Sequence, residues 1–369
     1  MTLLALLISF CPLQTAGAAR VEAALEAAAA EVRTMTAEDV APAVGLALRC
    51  GDAELCIAWG MADAGDERAA TADTRFRLAS VSKSFPGVTA ALLWEEGALD
   101  LDAPIQRYLP EFPRHEEGEI TARLLAGHLS GIPHYGPDDR FEPGTYHRVQ
   151  DGLRVFAHRP LAHAPGAKYL YSSYGFNLLG AAVEAAAKTE FRALLRERLF
   201  DPLGMDGVVA EHPATELGEA ASLYRTLLGE TVEVPRDDVA YKWPGGGFVA
   251  TPRDLIRYAR AFDVDGPVLT PKTRALLRTS QRTAAGRATG YSLGFNVGER
   301  LGRFTLAHGG SQTGAKSYFV IFPDQRVAVA ICANHSSSAV GDGRAAWRAA
   351  ELLLAALAVQ SAAGAPASE

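Results

Sequence analysis

Strand-forming sequence occupies both ends of this chain and almost none of its middle. Pro42 to Cys50 and Leu55 to Met61 are apolar runs joined by the short turn Gly51-Asp52-Ala53-Glu54, the pattern of a β-hairpin. Near the other end, Tyr291 to Gly298, Phe304 to Ala307, Ser317 to Phe322 and Val327 to Ala333 read as a meander, its last turn made by Pro323-Asp324-Gln325. In the last of these strands Val327, Val329 and Ile331 face one way and Ala328, Ala330 and Cys332 the other. Both faces are apolar, so this strand must be covered on both sides. From Ser82 to about Ala240 the pattern is mostly helix and loop. One antiparallel sheet built from both termini, flanked by helices and carrying an inserted, mostly helical domain, satisfies this order with the fewest assumptions: an α+β fold. The expected division is a sheet subdomain at about 20–81 and 285–360 and a helical subdomain at about 82–284.

Two terminal helices are available to cover the sheet. Arg20 to Met35 places Val21, Ala24, Leu25 and Ala28 on one face, and Gly343 to Val359 forms a second helix. The tail 361–369 is mostly Ala, Gly, Ser and Pro and reads as disordered. Residues 1–19 stand apart. Leu3 to Phe10 is a short, uncharged apolar core, and Ala16-Gly17-Ala18 fits a small-residue cleavage site. A secretory signal, and with it a periplasmic or secreted location, is the preferred reading; an N-terminal membrane anchor is the alternative. With 369 residues the chain can bury a large core, and a net charge of −7 with no basic stripe gives nucleic-acid binding no support. Cys50 and Cys56 flank the hairpin turn and could form a disulfide or sit reduced in the core. No Cys/His cluster has zinc spacing.

The first candidate for chemistry is Ser80-Val81-Ser82-Lys83, after the short strand Phe76-Arg77-Leu78 and at the start of a helix running to Glu96. Residues three apart share a helix face, so Ser80 Oγ and Lys83 Nζ can come within hydrogen-bond reach. A desolvated lysine loses part of its preference for the charged form and can take a serine proton. A serine at a helix start also lies beside free backbone N–H groups, which suit a developing oxyanion. Alone, Ser80 is as readily an N-cap. Pro86 should kink this helix or push its true start later. Two further pieces stand out. Tyr171-Ser172-Ser173 follows Pro165-Gly166 and precedes a helix, so the phenol could project into a cleft. His308-Gly309-Gly310-Ser311 ends a strand, and its two glycines let a ligand approach the backbone closely. His128 and His134, in a Ser/Gly/Pro turn, read as hydrogen-bonded structural residues.

Taken together and in this order, the three pieces resemble the serine penicillin-recognising superfamily of class C β-lactamases, D-alanyl-D-alanine carboxypeptidases and related esterases. Within it the chain looks nearest to the mitochondrial serine β-lactamase-like group and its bacterial relatives. Leu124 to Ile132, Pro202-Leu203-Gly204-Met205, Gly245-Gly246-Gly247 and Tyr291-Ser292-Leu293-Gly294 add to the likeness. The resemblance implies an acyl-enzyme on Ser80. Lys83 would lower the pKa values of Ser80 and Tyr171, and either Lys83 or Tyr171 would be the base. The backbone N–H groups of Ser80 and Ser311 would form the oxyanion hole, and Gly309 and Gly310 would border the substrate. His308 would replace the usual lysine of the third motif, moving protons or binding a substrate carboxylate. The resemblance requires no metal or organic cofactor. It suggests a small peptide, ester or β-lactam-like substrate and leaves self-association open. One position departs from the pattern: Ser173 stands where an Asn normally holds the substrate amide, and a hydroxyl offers one donor instead of two. Weak or absent β-lactamase activity is therefore expected. The competing reading is a non-catalytic scaffold on the same fold.

Overall fold

The computed structural model describes residues 12–136, 139 and 144–363. Its frame is a seven-stranded antiparallel sheet made from both ends of the chain, in the order β3-β2-β1-β12-β11-β10-β9. The N-terminal part supplies β1 (Ala43–Cys50), β2 (Ala53–Asp63) and β3 (Arg68–Ala69); the C-terminal part supplies β9 (Asn296–Arg300), β10 (Arg303–Gln312), β11 (Ala315–Phe322) and β12 (Val327–Ala333). The termini meet where β1 pairs with β12, Leu46 opposite Ile331. As the alternation in β12 requires, Val327, Val329 and Ile331 pack into one core while Ala328, Ala330 and Cys332 pack into another. The first core is closed by the terminal helices Pro12–Met35 and Arg344–Ala363, which lie against each other and the sheet. The second joins the sheet to the helical region through the helix Pro252–Ala259. Gly45 permits that approach, because a Cβ there would fall 2.6 Å from Phe76.

The terminal helices exceed their expected lengths at both ends, beginning at Pro12 and ending at Ala363. The expected signal or anchor at 1–19 falls largely on residues 1–11, and most of the expected tail on 364–369; both stretches lie outside the described residues. No helix among the described residues is long and apolar enough to cross a membrane.

Two expectations need correction. Cys50 and Cys56 are not bonded: both are free. The hairpin register sets Cys50 opposite Ala53 and Cys56 opposite Ala47. The two cysteines also belong to cores on opposite sides of the sheet. The middle of the chain also contains strands. β4 (Phe76–Arg77), β8 (Phe248–Ala250) and β5 (Val209–Ala210) form a small separate sheet, and β6 (Leu223–Leu227) and β7 (Glu230–Val234) form a hairpin. The hairpin escaped notice because its turn is Leu228-Gly229, with φ positive at both residues. The usual Asn-Gly signal is missing, and Leu228 is 98% exposed.

The helix Ser84–Glu95 is buried all round from Ser84 to Leu93, so it shows no amphipathic period. Phe85 anchors its start, meeting Phe200, Phe248 and Tyr258 edge-on at 5.1–5.6 Å. Truncating such a side chain costs about 3–5 kcal/mol. A 3-10 turn, Ala79–Lys83, precedes the helix, so the α-helix starts at Ser84 and Pro86 falls in its first turn. There a missing N–H costs nothing.

Candidate active site

The nucleophile candidate sits on a strained turn. Ala79 is buried with φ +48°, a conformation L-residues seldom adopt, immediately before Ser80. The surrounding sheet holds it there. Ser317 Oγ donates to the Leu78 carbonyl at 2.7 Å. Gly310 lies against Leu78, Ala79 and Ser317 so closely that a Cβ would strike all three. The second glycine of His308-Gly309-Gly310 therefore serves the packing of β10 against the Ser80 turn.

Lys83 Nζ donates to Ser80 Oγ at 3.0 Å and to the Gly245 carbonyl at 2.5 Å. It lies 4.9 Å from the centre of the Tyr171 ring and 5.9 Å from that of Phe176. Lys83 is fully buried, and among the described residues no carboxylate pairs with it. Burial holds its pKa well below the ordinary lysine value, and the charge of Lys242 adds to the shift. The Tyr171 phenol moves the opposite way: burial raises its pKa, while contact with the Ser80 hydroxyl lowers it in part. Burial thus disfavours both the charged form of Lys83 and the phenolate form of Tyr171.

The turn that carries Tyr171 is held by two histidines. His128 Nδ1 accepts the Ser172 N–H at 3.1 Å, and His134 Nδ1 accepts the Ser173 N–H at 3.1 Å. Ser172 Oγ accepts the Gly175 N–H at 2.9 Å and so caps the helix Ser173–Ala187. The His128 ring lies 4.2 Å from that of Tyr171 and 4.6 Å from that of Tyr291. Both histidines are structural, as expected, but the structure they maintain is the Tyr171 turn. Ser173 itself is buried, and its hydroxyl is in contact with Tyr135. The side chain expected at the substrate amide is thus engaged within the protein.

His308 is buried on the inner face of β10. Its Nδ1–H donates to the Gly309 carbonyl at 2.7 Å, which leaves Nε2 to accept the Tyr291 hydroxyl at 2.9 Å. Burial first, then the charge of Lys83, pushes its pKa down to about 3. Burial and these two bonds favour the neutral ring. Tyr291, the donor that sets its tautomer, went unassigned in the sequence beyond its family-like surroundings.

The last strand edge supplies a donor. The turn Thr313-Gly314 joins β10 to β11, with Gln312 opposite Ala315. In a two-residue hairpin the closing pair exchanges hydrogen bonds and the bonding alternates from there. The N–H groups of Gly309 and Ser311 therefore point away from β11. β9 pairs with β10 only as far as Ala307, so this edge is open beside the Ser80 turn. The Ser311 hydroxyl is turned elsewhere, accepting from Lys316 Nζ at 2.7 Å. Ser80, Lys83, Tyr171 and His308 thus lie together, with the open edge of β10 packed beside the Ser80 turn. No group of His, Cys, Asp or Glu among the described residues could hold a metal ion.

Comparison with known proteins agrees with this geometry. The family model described as Beta-lactamase matches residues 28–354. The human mitochondrial serine β-lactamase-like protein LACTB is 31% identical over 271 residues, which cover 55% of this chain and 49% of that protein. Esterase EstB of Burkholderia gladioli is 33% identical over 214 residues, 53% of each chain. The chain thus spans about half the length of these curated relatives. Among solved structures, a β-lactamase/D-alanine carboxypeptidase from Pseudomonas syringae superposes with a TM-score of 0.73 at 20% identity, covering 90% of this chain and 98% of that one.

Proposed function

The chain belongs to the β-lactamase family, and from that premise and the geometry around Ser80 we propose a serine hydrolase that cleaves ester or amide bonds through an acyl-enzyme on Ser80. The carrying observation is Lys83 Nζ 3.0 Å from Ser80 Oγ, fully buried and with no carboxylate among the described residues to hold its charge. Neutral Lys83 takes the Ser80 proton as Oγ attacks the substrate carbonyl carbon. The carbonyl electron pair moves to oxygen and is received by the Ser80 and Ser311 N–H groups. Tyr171 gives its proton to the departing alcohol or amine and recovers one from Lys83. Water then attacks the ester carbon, losing a proton to Lys83; the C–O bond to Ser80 breaks, and Ser80 Oγ takes that proton back from Lys83 and leaves as the hydroxyl.

Ser173 bears on the substrate. With no amide at this position, and with its hydroxyl against Tyr135, the usual clamp on a β-lactam side chain is missing. Small esters or peptides are the favoured substrates and β-lactam turnover is weak or absent; the partial identity with an esterase supports this. A periplasmic or secreted location rests on the apolar segment Leu3 to Phe10 alone.

The test is covalent labelling. Incubation with a fluorophosphonate, followed by intact mass measurement, should show one adduct on the wild type and none on Ser80→Ala. No wild-type adduct would sink the hydrolase reading, and an adduct that survives Ser80→Ala would sink the site. Nitrocefin turnover should fall far below p-nitrophenyl ester turnover.

A further inference from the structure

Resting on the hydrolase reading, we propose that His128 and His134 are positioning residues for the Tyr171 phenol, and that their bonds to the Tyr171 turn aim its proton at the leaving group. The His128 carbonyl accepts the Leu170 N–H at 2.8 Å, and His128 Nδ1 accepts the Ser172 N–H at 3.1 Å. One residue thus fixes the backbone immediately before and immediately after Tyr171. Two more bonds from the same loop extend the grip. The Pro133 carbonyl accepts from Ser172 Oγ at 2.9 Å, and His134 Nδ1 accepts the next N–H, that of Ser173.

Two features of His128 are unfavourable in a residue that merely fills space. Its φ is +57°, a region sparsely populated by residues other than glycine. Its Nδ1 accepts a hydrogen bond, so the ring proton sits on Nε2. That Nε2 is fully enclosed and has no hydrogen-bond partner among the described residues. A buried donor without an acceptor is destabilising. An apolar side chain would avoid this loss among the rings of Tyr171, Tyr291 and Phe176, whose centres lie 4.2, 4.6 and 4.9 Å from that of His128. It could not accept the Ser172 N–H. The acceptor beside Tyr171 is therefore what the histidine supplies. Burial holds the His128 pKa well below the ordinary histidine value. Desolvation, with the charges of Lys83 and Lys242, pushes that of His134 down to about 4. Both rings are thus neutral acceptors at pH 7.

The aim of the phenol matters because it has one proton for one atom. As the tetrahedral intermediate collapses, the C–O or C–N bond breaks. The leaving atom keeps the bonding pair and takes the Tyr171 proton. An alkoxide or amine anion is a poor leaving group and needs that proton, whereas p-nitrophenolate is stable and departs without it. A displaced phenol therefore penalises the first kind of substrate and spares the second.

The test compares kcat/KM for ethyl butyrate and p-nitrophenyl butyrate, which form the same acyl-enzyme. Tyr171→Phe sets the scale and should lose about a hundredfold more on ethyl butyrate than on the nitrophenyl ester. His128→Ala should lose about tenfold on ethyl butyrate and His134→Ala about fivefold, each staying within about twofold on p-nitrophenyl butyrate. Asn in place of either histidine should regain most of the loss, because its Oδ1 accepts an N–H and it tolerates positive φ. A merely structural histidine gives a different result: partial unfolding removes active enzyme and lowers both values by one factor. His134 is exposed, so His134→Ala decides the matter if His128→Ala does not fold. Equal loss on both esters in the folded variants, or none, overturns the positioning role while a selective Tyr171→Phe leaves the mechanism standing. Equal loss on both esters in Tyr171→Phe removes Tyr171 as proton donor, and the positioning role with it. Turnover that survives Ser80→Ala overturns the hydrolase reading itself.

Discussion

Arg77 and Lys83 are six residues apart, both basic side chains and both buried, and the protein treats them in opposite ways. Arg77 is surrounded by anions and carbonyls. Its guanidinium binds Glu211 through two parallel bonds at 2.7 and 3.0 Å, Asp237 at 2.6 Å and the Thr313 carbonyl at 3.2 Å. It therefore ties β4 to the β10–β11 turn and to the loops bearing Glu211 and Asp237. Lys83 meets a hydroxyl, a carbonyl and two aromatic rings. A guanidinium cannot shed its charge and must be matched; an ammonium can lose a proton and be left unmatched. The matched side chain ties its neighbours together, and the unmatched one lies beside Ser80 Oγ, where the proposed mechanism has its neutral form take the serine proton.

That contrast can be broken most directly at Lys83. Lys83→Met should lower kcat/KM for an ester substrate by on the order of 10³. Its melting temperature should equal or exceed that of the wild type, because an apolar side chain replaces an unmatched ammonium. A marked loss of stability in this variant would mean that Lys83 is matched after all.

Arg77→Met should behave in reverse. It leaves Glu211 and part of Asp237 without their partner and should cost about 3–5 kcal/mol in urea unfolding. Asp237 is 47% side-chain exposed and can recover water, so most of the loss belongs to Glu211. Equal stability of the two methionine variants would erase the distinction.

A smaller effect extends the comparison to His308, another buried base kept neutral. Its folded pKa of about 3 lies below the ordinary histidine value of 6.5, so the unfolded chain binds a proton first as pH falls. Its contribution is fully present above about pH 6.5 and is lost progressively toward pH 3, by up to about 1.4 kcal/mol per pH unit. His308→Gln should lack that part of the acid slope when unfolding is followed from pH 7 to 4. An unchanged slope would show that His308 does not resist protonation.

Much of this was readable from residues. The alternation in Val327 to Ala333 announced a strand covered on both sides, and the two cores confirm it. The spacing of Ser80 and Lys83 announced their contact. Other features were hidden for definable reasons. Leu228-Gly229 adopts a turn without its usual residue. The Cys50–Cys56 pairing failed because register, which depends on turn length, sent the two thiols to opposite faces. His128 and His134 looked structural and are, but only the fold reveals that the backbone they hold is the Tyr171 turn.

The sequence by itself determined the fold class and the Ser80–Lys83 contact, because these depend on periodicity and on short spacing along one element; the reaction class rested on the resemblance of three separate motifs to a known family. Only the tertiary structure decided the charge states and the substrate-facing groups. Those depend on what surrounds a side chain: Gly245 and aromatic rings around Lys83, and Tyr291 against His308. Burial and partners set a proton affinity, and both come from other segments of the chain, Gly245 lying 162 residues from Lys83.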